Sequence, residues 1–139
     1  MGRKPPVVHG VVLIDKPAGM TSHDVVAQLR KRFGERRIGH AGTLDPDATG
    51  VLVIGVGNAT RLLRFASASN KTYEVELVFG PETDTLDSSG QVVAEHHMSV
   101  DLEQVSAAAA SLTGEIEQVP PMVSARRVGG RRLYEIARE

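Results

Sequence analysis

The stretch GHAGTLDPDATG, Gly39 to Gly50, brings one histidine (His40), two carboxylates (Asp45 and Asp47) and two threonines together between glycines. A carboxylate in such a loop can serve as a nucleophile, a general base or a cation ligand. Asp45 directly precedes Pro46, and a residue before proline is pushed to extended backbone angles. That restriction presents the Asp45 side chain from one backbone conformation, which suits a group that must meet a substrate atom accurately.

Three chemistries fit the loop to different degrees. As a calcium loop, Asp45, Asp47, Thr49 and Gly50 occupy the first, third, fifth and sixth ligand-loop positions, but Val56 stands where a bidentate glutamate is required, so this reading fails. DPDAT also resembles the Asp-x-Asp-x-Thr nucleophile motif of the haloacid dehalogenase phosphatases. There the apolar strand precedes the first aspartate, whereas here GVLVIGVG follows it. A plain turn is the third reading, since Asp-Pro and glycine are common loop formers. The density of polar side chains between two apolar segments argues against it.

The elements that would hold this loop are legible on both sides. GVVLID (Gly10–Asp15) reads as a short buried strand, followed by the turn KPAG. Thr21 or Ser22 can cap a helix, with Asp24 placed as in a capping box. Val25, Val26, Leu29 and Phe33 share one face of that helix, and Gly34 ends it. Gly50–Gly57 predicts a second buried strand, and Asn58–Ala66 a short helix capped by Asn58 or Thr60. In Lys71–Gly80, Tyr73, Val75, Leu77 and Phe79 alternate with polar residues, as in a half-buried strand. Pro81–Gln91 reads as a polar loop, VVAE as a return strand, Ser99–Leu112 as a helix and Glu115–Val119 as a further strand. Gly129–Gly130 is a hairpin signal. The order predicts an α+β fold with a mixed, largely antiparallel sheet flanked by helices, mainly on one face.

Composition sets the outer limits. The 139 residues are 41% apolar and contain no cysteine, which excludes disulfides and thiolate metal sites and fits a reducing, cytoplasmic setting. No stretch approaches the roughly 20 apolar residues of a membrane span, and no signal peptide is read at the N-terminus. The net charge of −1 conceals an asymmetry: residues 1–64 carry ten Lys/Arg against five Asp/Glu, residues 65–123 one against ten, and residues 124–139 five against two. Basic segments attract polyanions, although arginines are also ordinary solvated surface. His96 and His97 have no third ligand nearby in sequence and read as surface rather than a metal site.

GHAGTLDPDATGVLVIGVGNATR resembles the central motif of the bacterial tRNA pseudouridine synthases that modify the T-loop uridine. GVVLIDKPAGMTSHDVV resembles their first motif, and NKTYEVELVFGPETDTLDSSGQV their third stretch. GEIEQVPPMVSARRVGGRRLYEIARE resembles the start of their RNA-gripping insertion. The resemblance runs through nearly the whole chain from His9 onward.

The resemblance implies an isomerase of the pseudouridine synthase fold that flips a tRNA uridine out of its stack. It breaks the N1–ribose bond and rejoins the ribose to C5. No redox step occurs, so no cofactor or metal is expected. Asp45 matches the catalytic aspartate, which can attack base or ribose or take a ribose proton. Tyr73, in the K-x-Y match, would stack on the flipped base and could accept the C5 proton; its periodicity alone equally fits a core residue. His40 would support flipping, and also reads as an ordinary loop donor. Lys16 would help position the site, and also reads as a surface lysine. Arg126, Arg127, Arg131 and Arg132, around the Gly-Gly turn, would contact RNA phosphates. The expected partner is the tRNA T-stem-loop, and the expected state a monomer.

The chain departs from the family by lacking the later strand with G-T-Y-I-R, whose arginine pairs with the catalytic aspartate. Residues 1–139 therefore read as a single, incomplete catalytic domain, with 124–139 opening the insertion, and activity of these residues alone is not expected. A non-catalytic RNA-binding or RNA-folding module and the phosphatase remain as alternatives.

Overall fold

The computed structural model describes residues 8–120 and 127–132. The chain divides into two compact units, residues 1–73 and 74–139.

The first unit is built around a three-stranded antiparallel sheet. β1 (Gly10–Lys16), β2 (Ile38–His40) and β3 (Gly50–Val56) lie in the order β1-β3-β2, with Val12 opposite Ile54, Ile14 opposite Leu52 and Ile38 opposite Val56. Alternation along the strands sends Leu52, Ile54, Val56 and Ile38 to one face, where α1 (Ser22–Phe33) supplies Val25 and Val26. Val12, Ile14, Met20, Leu29 and Leu44 complete this core. Apolar burial of this kind is worth about 25 cal/mol per Å², and it fixes α1 across the sheet.

The start and stop of α1 follow from local chemistry. The Thr21 side chain accepts the Asp24 N–H, and the Asp24 carboxylate accepts the Thr21 N–H, which closes a capping box. Gly34 ends the helix in the left-handed conformation. The expected choice between Thr21 and Ser22 as cap thus falls to Thr21.

On the opposite face, a 3-10 helix (Gly57–Leu62) leads into α2 (Leu63–Ser67). Leu63 packs so closely over Gly39 and Gly55 that a side chain at either position would press on it. Helices therefore flank both faces rather than mainly one. Asn58 and Thr60 do not cap this segment through their side chains: Asn58 accepts a hydrogen bond from Arg37, and Thr60 donates to the Gly57 carbonyl.

In the second unit, β4 (Pro81–Thr83) pairs antiparallel with β5 (Val92–Glu95), α3 spans Leu102–Ser111, and β6 (Arg127–Val128) pairs with β7 (Arg131–Arg132). Asp101 and Gln104 form the capping box of α3, so the helix begins after Asp101 rather than at Ser99. Both residues of the Gly129–Gly130 turn have positive φ, as a type I′ hairpin turn requires.

Two expected strands are absent. Lys71–Phe79 has no strand structure, and Tyr73, Val75, Leu77 and Phe79 are exposed along with the polar residues between them. Glu115–Val119 is likewise irregular. Alternation describes a chain suited to lie in a sheet, but a strand exists only when a neighbour accepts its backbone hydrogen bonds. No described strand pairs with either segment. Among the described residues, no helix is long and apolar enough to cross a membrane.

Candidate active site

The loop between β2 and β3 carries Asp45, and the β1–α1 connection holds it. Lys16, the last residue of β1, is fully buried, with 0% exposure. Its Nζ donates to the carbonyls of Pro17 (2.9 Å), Met20 (2.7 Å) and Pro46 (3.0 Å). An ammonium has three donors and no acceptor, so three carbonyls use its full capacity. The Gly19 N–H donates to the same Pro46 carbonyl at 2.9 Å. The expected alternative of a surface lysine is therefore corrected: in strand alternation Lys16 falls on the α1 side of the sheet, and its head group is satisfied there by backbone.

Leu44 is held from the same side. Ser22 Oγ accepts the Leu44 N–H at 2.9 Å and donates to the Leu44 carbonyl at 3.2 Å. Ser22 is 2% exposed. Asp45 thus sits between two residues whose backbones are tied to the β1–α1 connection. Its own carbonyl accepts the Ala48 N–H at 3.1 Å, which closes the turn after it. The Asp45 side chain itself faces solvent. A pre-proline backbone with both neighbours anchored leaves mainly the side-chain torsions to place the carboxylate.

His40 is half-buried at the end of β2, and its Nδ1 donates to the Gly42 carbonyl. In the neutral ring this leaves Nε2 as the acceptor. Gly42 and Gly50, at the two ends of the loop, have φ of 129° and 115°, values that other residues rarely adopt. The stem of Lys71 passes beside Gly42, 3.7 Å from where a Cβ would stand. Its Nζ donates to the carbonyls of Ser67 and Ser69.

The structure thus brings Lys16 onto the Asp45 loop and keeps His40 within it. Tyr73 lies at the end of the first unit with 63% exposure. Arg131 is exposed in the β6–β7 hairpin, whose strands also contain Arg127 and Arg132; Arg126 lies outside the described residues. Among the described residues, no three histidines or carboxylates cluster as a metal site would require. Sequence reasoning missed Gly19, Lys71 and the role of Ser22. For Ser22 the signal was present: once Thr21 and Asp24 form the cap, the next hydroxyl has no local duty.

The family model for the N-terminal domain of the TruB family pseudouridylate synthases matches residues 30–139. The chain is 53% identical over 131 residues to tRNA pseudouridine synthase B of Mycobacterium sp. (strain KMS), covering 94% of this chain and 44% of that protein. It is 54% identical over 133 residues to tRNA pseudouridine synthase B of Bacillus thuringiensis (strain Al Hakam), covering 94% and 43% respectively. The chain therefore spans less than half the length of these relatives. A solved H/ACA RNP bound to a substrate RNA containing 2′-deoxyuridine aligns with 40% of this chain and 18% of its own, at 46% identity and a TM-score of 0.39. With this family match and these relatives, the chain belongs to the TruB family of pseudouridylate synthases and carries that family's N-terminal domain.

Proposed function

We propose that this chain supplies the catalytic aspartate of an enzyme that isomerises a T-loop uridine of tRNA to pseudouridine. The observation that carries the reading is the double anchoring of Asp45: an exposed carboxylate on a loop whose backbone is tied down immediately before and after it. The family membership supports the reaction, and the relatives named tRNA pseudouridine synthase B support a tRNA substrate.

In the proposed reaction the N1–C1′ bond breaks, the uracil turns, C5 bonds to C1′, and the C5 proton is lost while N1 gains one. Reactant and product are isomers, so the step needs neither an oxidant nor a reductant. Asp45 stabilises the detached sugar or base covalently, or takes a proton from the ribose. A uridine inside a folded loop must leave its stack to reach this carboxylate. His40 would occupy the vacated place, and Tyr73, exposed, would offer its ring to the flipped base. Arg126, Arg127, Arg131 and Arg132 would hold RNA phosphates from the hairpin that opens an RNA-gripping insertion. A monomer acting in the cytoplasm completes the reading, with both units as parts of one catalytic domain.

The test is release of tritium from C5-labelled uridine in a T-stem-loop RNA. The complete enzyme, meaning this chain joined to the C-terminal part its relatives carry, is expected to release it. Asp45→Asn is expected to abolish release while RNA binding stays within a few-fold. Release by Asp45→Asn at the unsubstituted rate refutes the reading, and RNA binding without release by the unsubstituted enzyme points instead to a binding module.

A further inference from the structure

We propose that Ser22 is a positioning residue for Asp45, acting through the backbone of Leu44; the inference rests on the function proposed above. Thr21 and Asp24 already form the capping box of α1, so the Ser22 hydroxyl is not needed for it. Instead the single Ser22 Oγ satisfies both polar groups of one residue on another element, accepting from Leu44 N at 2.9 Å and donating to Leu44 O at 3.2 Å. The Leu44 carbonyl belongs to the peptide unit that also contains the Asp45 nitrogen. Holding that carbonyl therefore fixes the plane from which the Asp45 side chain departs. Lys16 and Gly19 fix the carbonyl of Pro46 on the far side. Ser22 thus supplies one of the two brackets, and it couples the helix that packs on the core to the loop bearing the carboxylate.

Without the hydroxyl, the Leu44 N–H and C=O lose their partner, and the loop shifts to reach water. A misplacement of about 1 Å at a reacting group costs on the order of 100-fold in rate. RNA affinity should not follow, because Ser22 is buried and cannot touch RNA.

The experiment compares Ser22→Ala with Thr21→Ala in the complete enzyme, on a T-stem-loop RNA, at a temperature where circular dichroism shows each folded. Thr21→Ala disturbs the start of α1 by removing its cap, whereas Ser22→Ala leaves that cap and releases Leu44. Ser22→Ala is expected to lower the single-turnover rate at saturating RNA by about 10- to 100-fold, with the Kd for RNA unchanged within about two-fold. Thr21→Ala is expected to keep the single-turnover rate. Ser22→Cys, which nearly keeps the volume but offers only a weak sulfur donor and acceptor, is run beside them and should also lose at least about ten-fold. An unchanged rate in folded Ser22→Ala or Ser22→Cys, with Asp45→Asn inactive, overturns the positioning role and leaves the proposed function standing. An equal loss in Thr21→Ala also overturns it, by making the effect one of helix stability. If Asp45→Asn is itself fully active, the functional reading fails and the positioning role falls with it.

Discussion

Replacing Lys16 with methionine should loosen the hold of the β1–α1 connection on the loop, and the structure allows the cost to be worked group by group. The methionine side chain nearly matches the length of the buried lysine stem and adapts to irregular space, so no large cavity is left. The lost hydrogen bonds are three, to Pro17, Met20 and Pro46. Each bond to a charged donor is worth about 1.5–3 kcal/mol, but burying the ammonium itself costs several kcal/mol, so the gross sum overstates the loss. The carbonyls left behind decide the net effect. Pro46 keeps the Gly19 N–H, and exposed Pro17 can bind water. The carbonyl of half-buried Met20 loses its Lys16 partner, which costs about 1–3 kcal/mol. A net destabilisation of about 2 kcal/mol is expected, read as a lower urea midpoint by far-UV circular dichroism. Lys16→Arg should be no milder, because a planar guanidinium needs a wider site than the compact ammonium this pocket encloses. A Lys16→Met protein within about 0.5 kcal/mol of the unsubstituted one would refute this accounting, since a change that small is typical of ordinary surface positions.

Further outcomes follow from the site and the caps. Tyr73→Phe should be mild in the complete enzyme if Tyr73 only stacks, whereas Tyr73→Leu should lose about 1–3 kcal/mol of base stacking; equally small effects in RNA binding and turnover would assign Tyr73 no part in the site. The 139-residue chain by itself should bind RNA in a strongly salt-dependent way and turn over little, because the arginine expected to pair with Asp45 is not in it; robust tritium release by the chain alone would refute that. The hydrogen bond from the Thr21 hydroxyl, followed by that from its backbone, holds the Asp24 carboxyl below the ordinary aspartate range. Because the folded value is the lower one, this stabilisation is fully present above the unfolded value and is lost as pH falls through the folded one. Asp24→Asn should therefore flatten the acid dependence of unfolding below about pH 4, measured against the unsubstituted protein across that window.

What was legible in the sequence is what depends on neighbours close along the chain. The Thr21–Asp24 spacing, the Val25–Val26–Leu29 stripe, Gly34 and the Gly129–Gly130 turn each state a local conformation, and each is formed. β1 and β3 are legible as strands because their apolar runs pair with each other inside one unit, although β1, expected to be buried, leaves Val11 and Leu13 exposed. β2, three residues long, has no pattern of its own and exists because β3 offers it an edge. Lys71–Phe79 is the converse case: its alternation is clear, yet no described strand pairs with it. The same division runs through the site. The stiffness of Asp45 before Pro46 can be read from two adjacent residues. The burial of Lys16 cannot, because it follows from the pairing of β1 with β3, and for Ser22 the sequence shows only a hydroxyl left over from the cap, not its partner Leu44. Lys16 stands opposite Gly50 in that register, at the exit of the Asp45 loop. A hydroxyl that reads as a candidate helix cap and an ammonium that reads as a surface lysine become fasteners of the loop in the folded unit. Their cost is borne by the fold as a whole, which ties the stability of this small core to the placement of one carboxylate.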